Sequence, residues 1–133
     1  MFSPDNELTE KQAVLMVLRA LNLIDKDSDA LWEETAIDEG FISHGKDVNR
    51  IITREEFAKI LTKALIYKTG DIRVTVGMDM FKDSSEISEE FKMDVLAVSK
   101  TELMKGDENG CFNPKKSLTR AEAATTIARL IYK

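Results

Sequence analysis

"LTRAEAATTIARLI" at residues 118–131 has two relatives upstream in the same chain, "ITREEFAKILTKAL" at 52–65 and "LTEKQAVLMVLRAL" at 8–21. In each, a threonine (Thr9, Thr53, Thr119) is followed three residues later by Gln12, Glu56 or Glu122. This is the capping-box pattern: the hydroxyl accepts from one exposed helix N–H while the acid or amide reaches back to another. An apolar residue precedes each threonine (Leu8, Ile52, Leu118), and Ala13, Phe57 or Ala123 stands four positions after it, the pair that a hydrophobic staple uses. Three helix starts are therefore marked. Beyond them apolar columns recur at i, i+3, i+4, i+7 and i+8: Ala13, Met16, Val17, Ala20 and Leu21; Phe57, Ile60, Leu61, Ala64 and Leu65; Ala123, Thr126, Ile127, Leu130 and Ile131. That spacing is one helical stripe. Three helices with equivalent stripes most simply bury them against one another, which predicts an all-α, pseudo-threefold three-helix bundle.

Shorter helices are expected outside it. "DALWEETAIDEGFI" (29–42) offers Leu31, Trp32, Ala36 and Ile37 before the stop at Gly40, and "ISEEFKMDVLAVSKTELM" (87–104) offers Phe91, Val95 and Val98. Loops "SHGKDVN" (43–49) and "GDENGCFNP" (106–114) lead back to the next cap. The segment 68–80 fits neither pattern, and its alternating Ile72, Val74 and Val76 predict a short extended piece.

The totals narrow the functional classes. At 133 residues the chain fits one domain, and its single Cys111 permits no internal disulfide and no Cys-rich zinc site. A net charge of -5 with cations scattered among acids argues against a nucleic-acid binder. No apolar run approaches the ~20 residues needed to span a bilayer, and the first residues lack the layout of a secretory signal, so no membrane insertion is expected. "DKDSDALWEETA" from Asp25 fails as a calcium loop, with Ala30 where Gly is needed and Ala36 where a bidentate Glu belongs. His44 is the sole histidine, and no nucleophile, phosphate loop or supported carboxylate pair emerges. Neither metal, cofactor nor catalysis is expected.

"FKD" at 81–83, "LMKGDENGCFNP" at 103–114 and the closing "LTRAEAATTIARLI" together resemble an S-layer homology motif. A second copy keeps "LWEETAI", Gly40, Gly45 and "ITREEFA" but lacks Phe-x-Pro, and a first copy keeps only "FSPDNELTEKQA" onward, with Phe2 and Pro4 in the register of Phe112 and Pro114. The resemblance divides a single domain, 1–133, into a partial motif 1 (1–24), motif 2 (25–67), an insert (68–80) and motif 3 (81–133). It implies a bundle of three motifs that holds exported proteins at the bacterial cell surface by binding a pyruvylated secondary cell-wall polysaccharide in grooves between motifs.

Arg54 and Arg120 sit at the first helical position, where a cation opposes the helix dipole by a few tenths to about 1 kcal/mol. Free N–H groups at a helix start, with a guanidinium fork beside them, suit a carboxylate such as a ketal pyruvate, and these two arginines are the leading ligand candidates. Glu10 holds the same slot in the first copy and would repel an anionic sugar. Trp32 is a stacking platform or a core residue; Gly106 serves a turn or a close ligand approach; Lys105 and Asp107 flank it as groove candidates. The competing expectation is an assembly module, in which an apolar groove flanking helix 8–21, left open by the absent first helix, takes a homodimer mate or another partner chain.

Overall fold

The computed structural model describes residues 6–25, 31–42, 47–70 and 81–132. Five helices follow in order: α1 (Glu10–Ala20), α2 (Trp32–Asp38), α3 (Arg54–Thr69), α4 (Lys92–Lys100) and α5 (Arg120–Ile131), with 3-10 turns at Ser84–Glu86 and Glu89–Phe91 ahead of α4. No strand forms among the described residues. The fold is all-α, as the periodicity predicts. Phe2, Pro4, His44, Gly45 and the alternating Ile72, Val74 and Val76 lie outside the described residues.

Threonine caps start all three inner helices. Thr9 and Thr53 close full capping boxes: Gln12 N–H donates to Thr9 Oγ1 at 3.2 Å and Thr9 N–H to Gln12 Oε1 at 3.0 Å, with Thr53 and Glu56 in the same reciprocal arrangement. At Thr119 only half the box is kept. Glu122 N–H donates to Thr119 Oγ1 at 3.1 Å, while the Glu122 carboxylate accepts from the Thr119 hydroxyl and from Arg54. Such caps stabilise a helix by about 1 kcal/mol each.

The pre-cap loops close a ring around the bundle axis. Isolated antiparallel bridges pair Thr9 with Ile51, Thr53 with Ser117, and Thr119 with Glu7, so each cap meets the residue two before the next cap. Leu8 N–H donates to Leu118 C=O at 2.9 Å and Ile52 N–H to Leu8 C=O at 3.0 Å, and all three of these apolar residues are fully buried.

From there α1 packs against both α3 and α5, while α3 and α5 are tied at their starts by Arg54–Glu122 and at their ends by Lys68, whose ammonium donates to Leu130 C=O at 2.7 Å. The predicted stripes enter the core through Ala13, Val17, Phe57, Leu61, Ala64, Ala123 and Leu130. Two departures have packing causes. Val14, Leu15 and Leu18, off the stripe of α1, are buried, and it is on α1 that α2 packs. Ile131 remains 45% exposed beyond the last packed turn of α5.

The outer helices are placed by the same rule: α2 lies on α1 and α4 on α3. Val95 and Val98 of α4 are buried, and Glu55 of α3, itself 3% exposed, fixes the start of the Glu89–Phe91 turn by accepting from Ser88 N–H and Ser88 Oγ at 2.9 Å each. Gly40 ends the α2 segment at φ +81°, a left-handed conformation that favours glycine. The first residues of the expected insert are helical. Lys68 and Thr69 continue α3, with the Thr69 hydroxyl donating to Leu65 C=O, and Gly70 at φ +91° stops it.

Candidate functional site

The first two N–H groups of an α-helix have no partner within it, which is why helix starts attract anions. On the inner helices of this molecule most of those groups are already occupied. Glu10 and Lys11 N–H donate to Arg50 and Val48 C=O at 3.1 and 2.8 Å; Arg54 and Glu55 N–H donate to Lys116 and Pro114 C=O at 2.9 and 3.1 Å; Arg120 N–H donates to Asn6 C=O at 3.1 Å. The threonine hydroxyls take the third N–H in each case. At α3 the expectation that free helix N–H groups assist ligand binding is corrected accordingly: the neighbouring loop supplies the acceptors, so an anion beside Arg54 must be held by side chains.

Arg54 is built into the fold more deeply than its position suggests. Nε donates to Phe112 C=O at 2.8 Å, Nη2 to Lys105 C=O at 3.0 Å, and Nη1 to the Glu122 carboxylate at 2.8 Å, with the guanidinium 5.1 Å from the centre of the Phe112 ring. It clamps the 103–114 loop onto the start of α3. A guanidinium carries five N–H groups, so the second N–H of each terminal nitrogen remains for a ligand.

That clamp forms one wall of a groove of about 350 Å³ between the start of α3 and the length of α5, lined by Arg54, Lys105, Glu122, Thr125, Thr126 and Arg129 among others. Its cations are Arg54, Lys105 and Arg129. Its one carboxylate, Glu122, is neutralised by Arg54. Arg129 Nη1 donates to Leu103 C=O at 3.1 Å, which aims the side chain across the groove mouth. The sequence reading missed Arg129, yet the signal was present. Glu122, Thr125, Thr126 and Arg129 stand at i, i+3, i+4 and i+7, a polar stripe beside the apolar one.

The other candidates fall in different places. Trp32, 8% exposed, packs in the core with the Lys11 ammonium 5.5 Å from its ring centre, and lines neither of the two grooves described here. Gly106 sits at a close approach and not at a positive φ: a Cβ there would lie 2.7 Å from Phe81 Cε1 and 3.1 Å from Cys111 O. Asp107 folds its own loop, accepting from the N–H groups of Asn109 and Cys111 and from the Asn113 side chain, and the Asn113 amide with the Cys111 N–H holds its carboxyl below the usual range. Arg120 is half-buried at the third junction and lines neither groove.

Asp83 was unassigned in the sequence reading and explains the Phe-x-Asp opening. Its two carboxylate oxygens accept from Phe112 and Asn113 N–H at 2.9 and 2.8 Å, while Phe81 packs on Phe112 with ring centres 5.2 Å apart. Pro114 then places the carbonyl that Glu55 N–H uses.

A second groove of about 360 Å³ lies one step around the axis, between the start of α1 and α3. Glu10 takes the place of Arg54 there, and Arg50 is paired with Glu56 and lies 3.6 Å from Glu10. Burial works against the charged form of Glu56, but the hydrogen bond from Arg50 and the Thr53 N–H outweigh it, so its carboxyl sits below the ordinary carboxylate range.

Comparison with known proteins agrees with this architecture. Residues 81–124, from the Phe81 stack through Arg120 and Glu122, match the S-layer homology domain. The chain is 31% identical over 146 residues to an endoglucanase of Bacillus sp. (strain KSM-635), covering 99% of this chain and 16% of that protein. It is 31% identical over 147 residues to an amylopullulanase of Thermoanaerobacterium thermosulfurigenes and 29% identical over 149 residues to the exoglucanase XynX of Acetivibrio thermocellus, with 99% of this chain covered each time and 8% and 14% of those proteins. The chain thus spans less than a fifth of the length of each of these relatives, so their enzymatic names describe proteins of which it corresponds to a small part. Among the described residues no helix is long and apolar enough to cross a membrane, and no group of three metal-holding side chains occurs. The matched domain, the relatives aligned along nearly the whole chain, and the ring of repeated caps together show that the chain belongs to the S-layer homology family, whose members are in general cell-wall anchoring modules of cell-surface proteins.

Proposed function

We propose that this chain anchors a larger protein to the cell wall by binding an anionic, pyruvylated secondary wall polysaccharide in the α3–α5 groove, with the motif boundaries 1–24, 25–67 and 81–133 read from the sequence. One observation carries the reading. In a chain of net charge -5, this groove gathers Arg54, Lys105 and Arg129 around a single carboxylate that is already paired. A carboxylate-bearing sugar entering it meets two cations, Lys105 and Arg129, that no carboxylate neutralises among the described residues, along with the spare N–H groups of Arg54, and charge-assisted hydrogen bonds of this kind are about twice as strong as neutral ones. Threonine hydroxyls at 125 and 126 line the same wall. Nothing in this reading calls for a reaction at the bound sugar.

Co-sedimentation of the chain with purified wall polysaccharide, native and chemically depyruvylated, tests the reading. Binding to the native polymer that drops at least tenfold on depyruvylation supports it. Equal binding to both would refute the role given to the anionic group.

A second reading, as an assembly module, is favoured by the outer face of α5 and not by the face flanking helix 8–21, on which α2 packs. Ala58 of α3 and Val14 of α1 are fully buried at the repeat position where Ala124 of α5 is exposed, and among the described residues no outer helix lies on α5. Sedimentation equilibrium distinguishes this reading, since docking of a second copy on that face gives a dimer mass.

A further inference from the structure

We propose that Asn109–Gly110 is a self-modification site: a spontaneous deamidation that the Asp107 turn restrains, and whose isoaspartyl product loosens the 106–113 loop for good. The modification stands apart from the anchoring reading, and only its effect on binding rests on that reading.

Deamidation of this kind starts when a backbone nitrogen attacks the side-chain Cγ of the asparagine before it. The bond from nitrogen to Cγ forms, the side-chain nitrogen leaves as ammonia, and a cyclic succinimide remains. Water then adds to either ring carbonyl and reopens the ring as aspartate or as isoaspartate, in which the main chain runs through the former side chain. The residue after the asparagine governs the rate, because its Cβ obstructs the attack and only glycine has none. Asn6, Asn22 and Asn49 precede Glu7, Leu23 and Arg50, and Asn113 precedes Pro114, which has no N–H to lose. Of the chain's five asparagines Asn109 alone precedes glycine, and it stands in an exposed turn that water can reach.

In the closed loop the attacking nitrogen is held. Gly110 N–H donates to Asp107 C=O at 3.0 Å and Gly110 C=O accepts from Lys82 N–H at 3.0 Å, so Gly110 is pinned on both sides. Asp107 Oδ1 accepts from Asn109 N–H at 2.9 Å and from Cys111 N–H at 3.0 Å, one amide before the reacting nitrogen and one after it. A nitrogen whose proton is engaged in a hydrogen bond is a poor nucleophile, and a carboxylate in the same turn opposes the negative charge that losing the proton would create. The reaction therefore proceeds through openings of the loop, in which Gly110 N is free to reach Asn109 Cγ.

Isoaspartate bars the way back. It lengthens the main chain between the two amides that donate to Asp107 Oδ1, and it places a new carboxylate directly after Asp107 and Glu108. Like charges so close disfavour the compact turn. The Lys82 N–H then loses its acceptor at Gly110, next to Asp83, whose carboxylate holds the Phe112 and Asn113 N–H groups at 2.9 and 2.8 Å. Arg54 grips the carbonyls of Phe112 and Lys105 on the same loop, so the loosening reaches the wall of the α3–α5 groove.

Timed incubation of the whole chain at mildly alkaline pH tests the proposal, read by peptide mapping with mass spectrometry and by isoaspartyl methyltransferase labelling. Position 109 is expected to convert in the chain unfolded in urea, and at least roughly tenfold more slowly in the folded chain, where the closed turn excludes the attack. Asp107→Ala should speed conversion of the folded chain about fivefold or more through loss of its amide hydrogen bonds. Asp107→Asn, which keeps one acceptor oxygen, should fall between the two. The comparison of folded with unfolded wild type needs no variant to fold. The isoaspartyl chain, separated by chromatography, should show displaced amide NMR signals at Lys82, Lys105 and Phe112 and weaker co-sedimentation with wall polysaccharide. The proposal is overturned if position 109 converts as fast in the folded chain as in urea, if both Asp107 variants convert at the wild-type rate, or if the isoaspartyl chain keeps those three amides in place. An unmodified chain that does not bind wall polysaccharide sinks the anchoring reading and leaves these outcomes untouched.

Discussion

Replacing Arg54 by Ala separates a clamp from a ligand contact. The side chain is 13% exposed and makes three hydrogen bonds, two to backbone carbonyls of the 103–114 loop and one to Glu122. Loss of a charged donor to a backbone acceptor costs about 1.5 kcal/mol for each of Phe112 and Lys105. The Glu122 bond adds at most about 0.5 kcal/mol, because that carboxylate is 40% exposed and water can replace the partner. Stacking on Phe112 contributes about 0.5 kcal/mol, and removing a cation from the first helical position returns a few tenths. The sum is roughly 3.5 kcal/mol. At about 3–4 °C per kcal/mol for a domain of this size, thermal unfolding should shift down by about 12 °C. Arg54→Lys keeps the charge but loses the fork, and should recover less than half of the loss. Circular dichroism melts of the three proteins at pH 7 decide the matter. An Arg54→Ala melt within about 2 °C of wild type would show that the three bonds do not hold the loop, and the clamp would have to be abandoned.

Further outcomes follow from the same contacts. Lys105→Ala should leave the melt within about 2 °C of wild type, and Arg129→Ala, which also loses the bond to Leu103 C=O, should lower it by up to about 5 °C; each should weaken polysaccharide binding about tenfold, with a shallower salt dependence in co-sedimentation. Gly106→Ala should lower stability by about 1–3 kcal/mol, read from urea unfolding, because its Cβ would fall 2.7 Å from the Phe81 ring and 3.1 Å from the Cys111 carbonyl, and the backbone oxygen cannot swing aside. Glu56 titrates below its ordinary value of 4.5 in the folded chain, so its pairing with Arg50 stabilises at neutral pH and that contribution is lost as pH falls below about 4.5 through the folded value. Melts between pH 7 and pH 3 should therefore show a smaller acid-side decline in Glu56→Gln than in wild type.

The parts of the fold legible in the sequence were those set within one turn of chain. Thr9, Thr53 and Thr119 announce their helices because a cap is a contact between residues three apart, and the stripes from Ala13, Phe57 and Ala123 follow from helical period alone. The burial of Val14 and Leu18 depends on α2 arriving from elsewhere, so no count along α1 reveals it. The site was half legible for a similar reason. Arg54 and Lys105 do line the α3–α5 groove, as their motif positions suggest, but the bonds of Arg54 to Phe112 and Lys105 span more than fifty residues. Trp32 and Asp107 have side chains common in sugar sites, and only their contacts reveal a core anchor and a turn former. Arg129 shares helical spacing with Glu122 and Thr125, but its place at the groove depends on Leu103 C=O, 26 residues away.

The ring of pre-cap loops has a consequence for taking this domain apart. Each inner helix begins on carbonyls that belong to its neighbour: α1 on Arg50 and Val48, α3 on Lys116 and Pro114, α5 on Asn6. A single repeat cut out by itself would carry bare amides at its helix start and an uncovered greasy flank. The repeats visible along the chain are thus not beads that can be strung in any number. They are staves of one barrel, and shortening the anchor by a stave should release the other two.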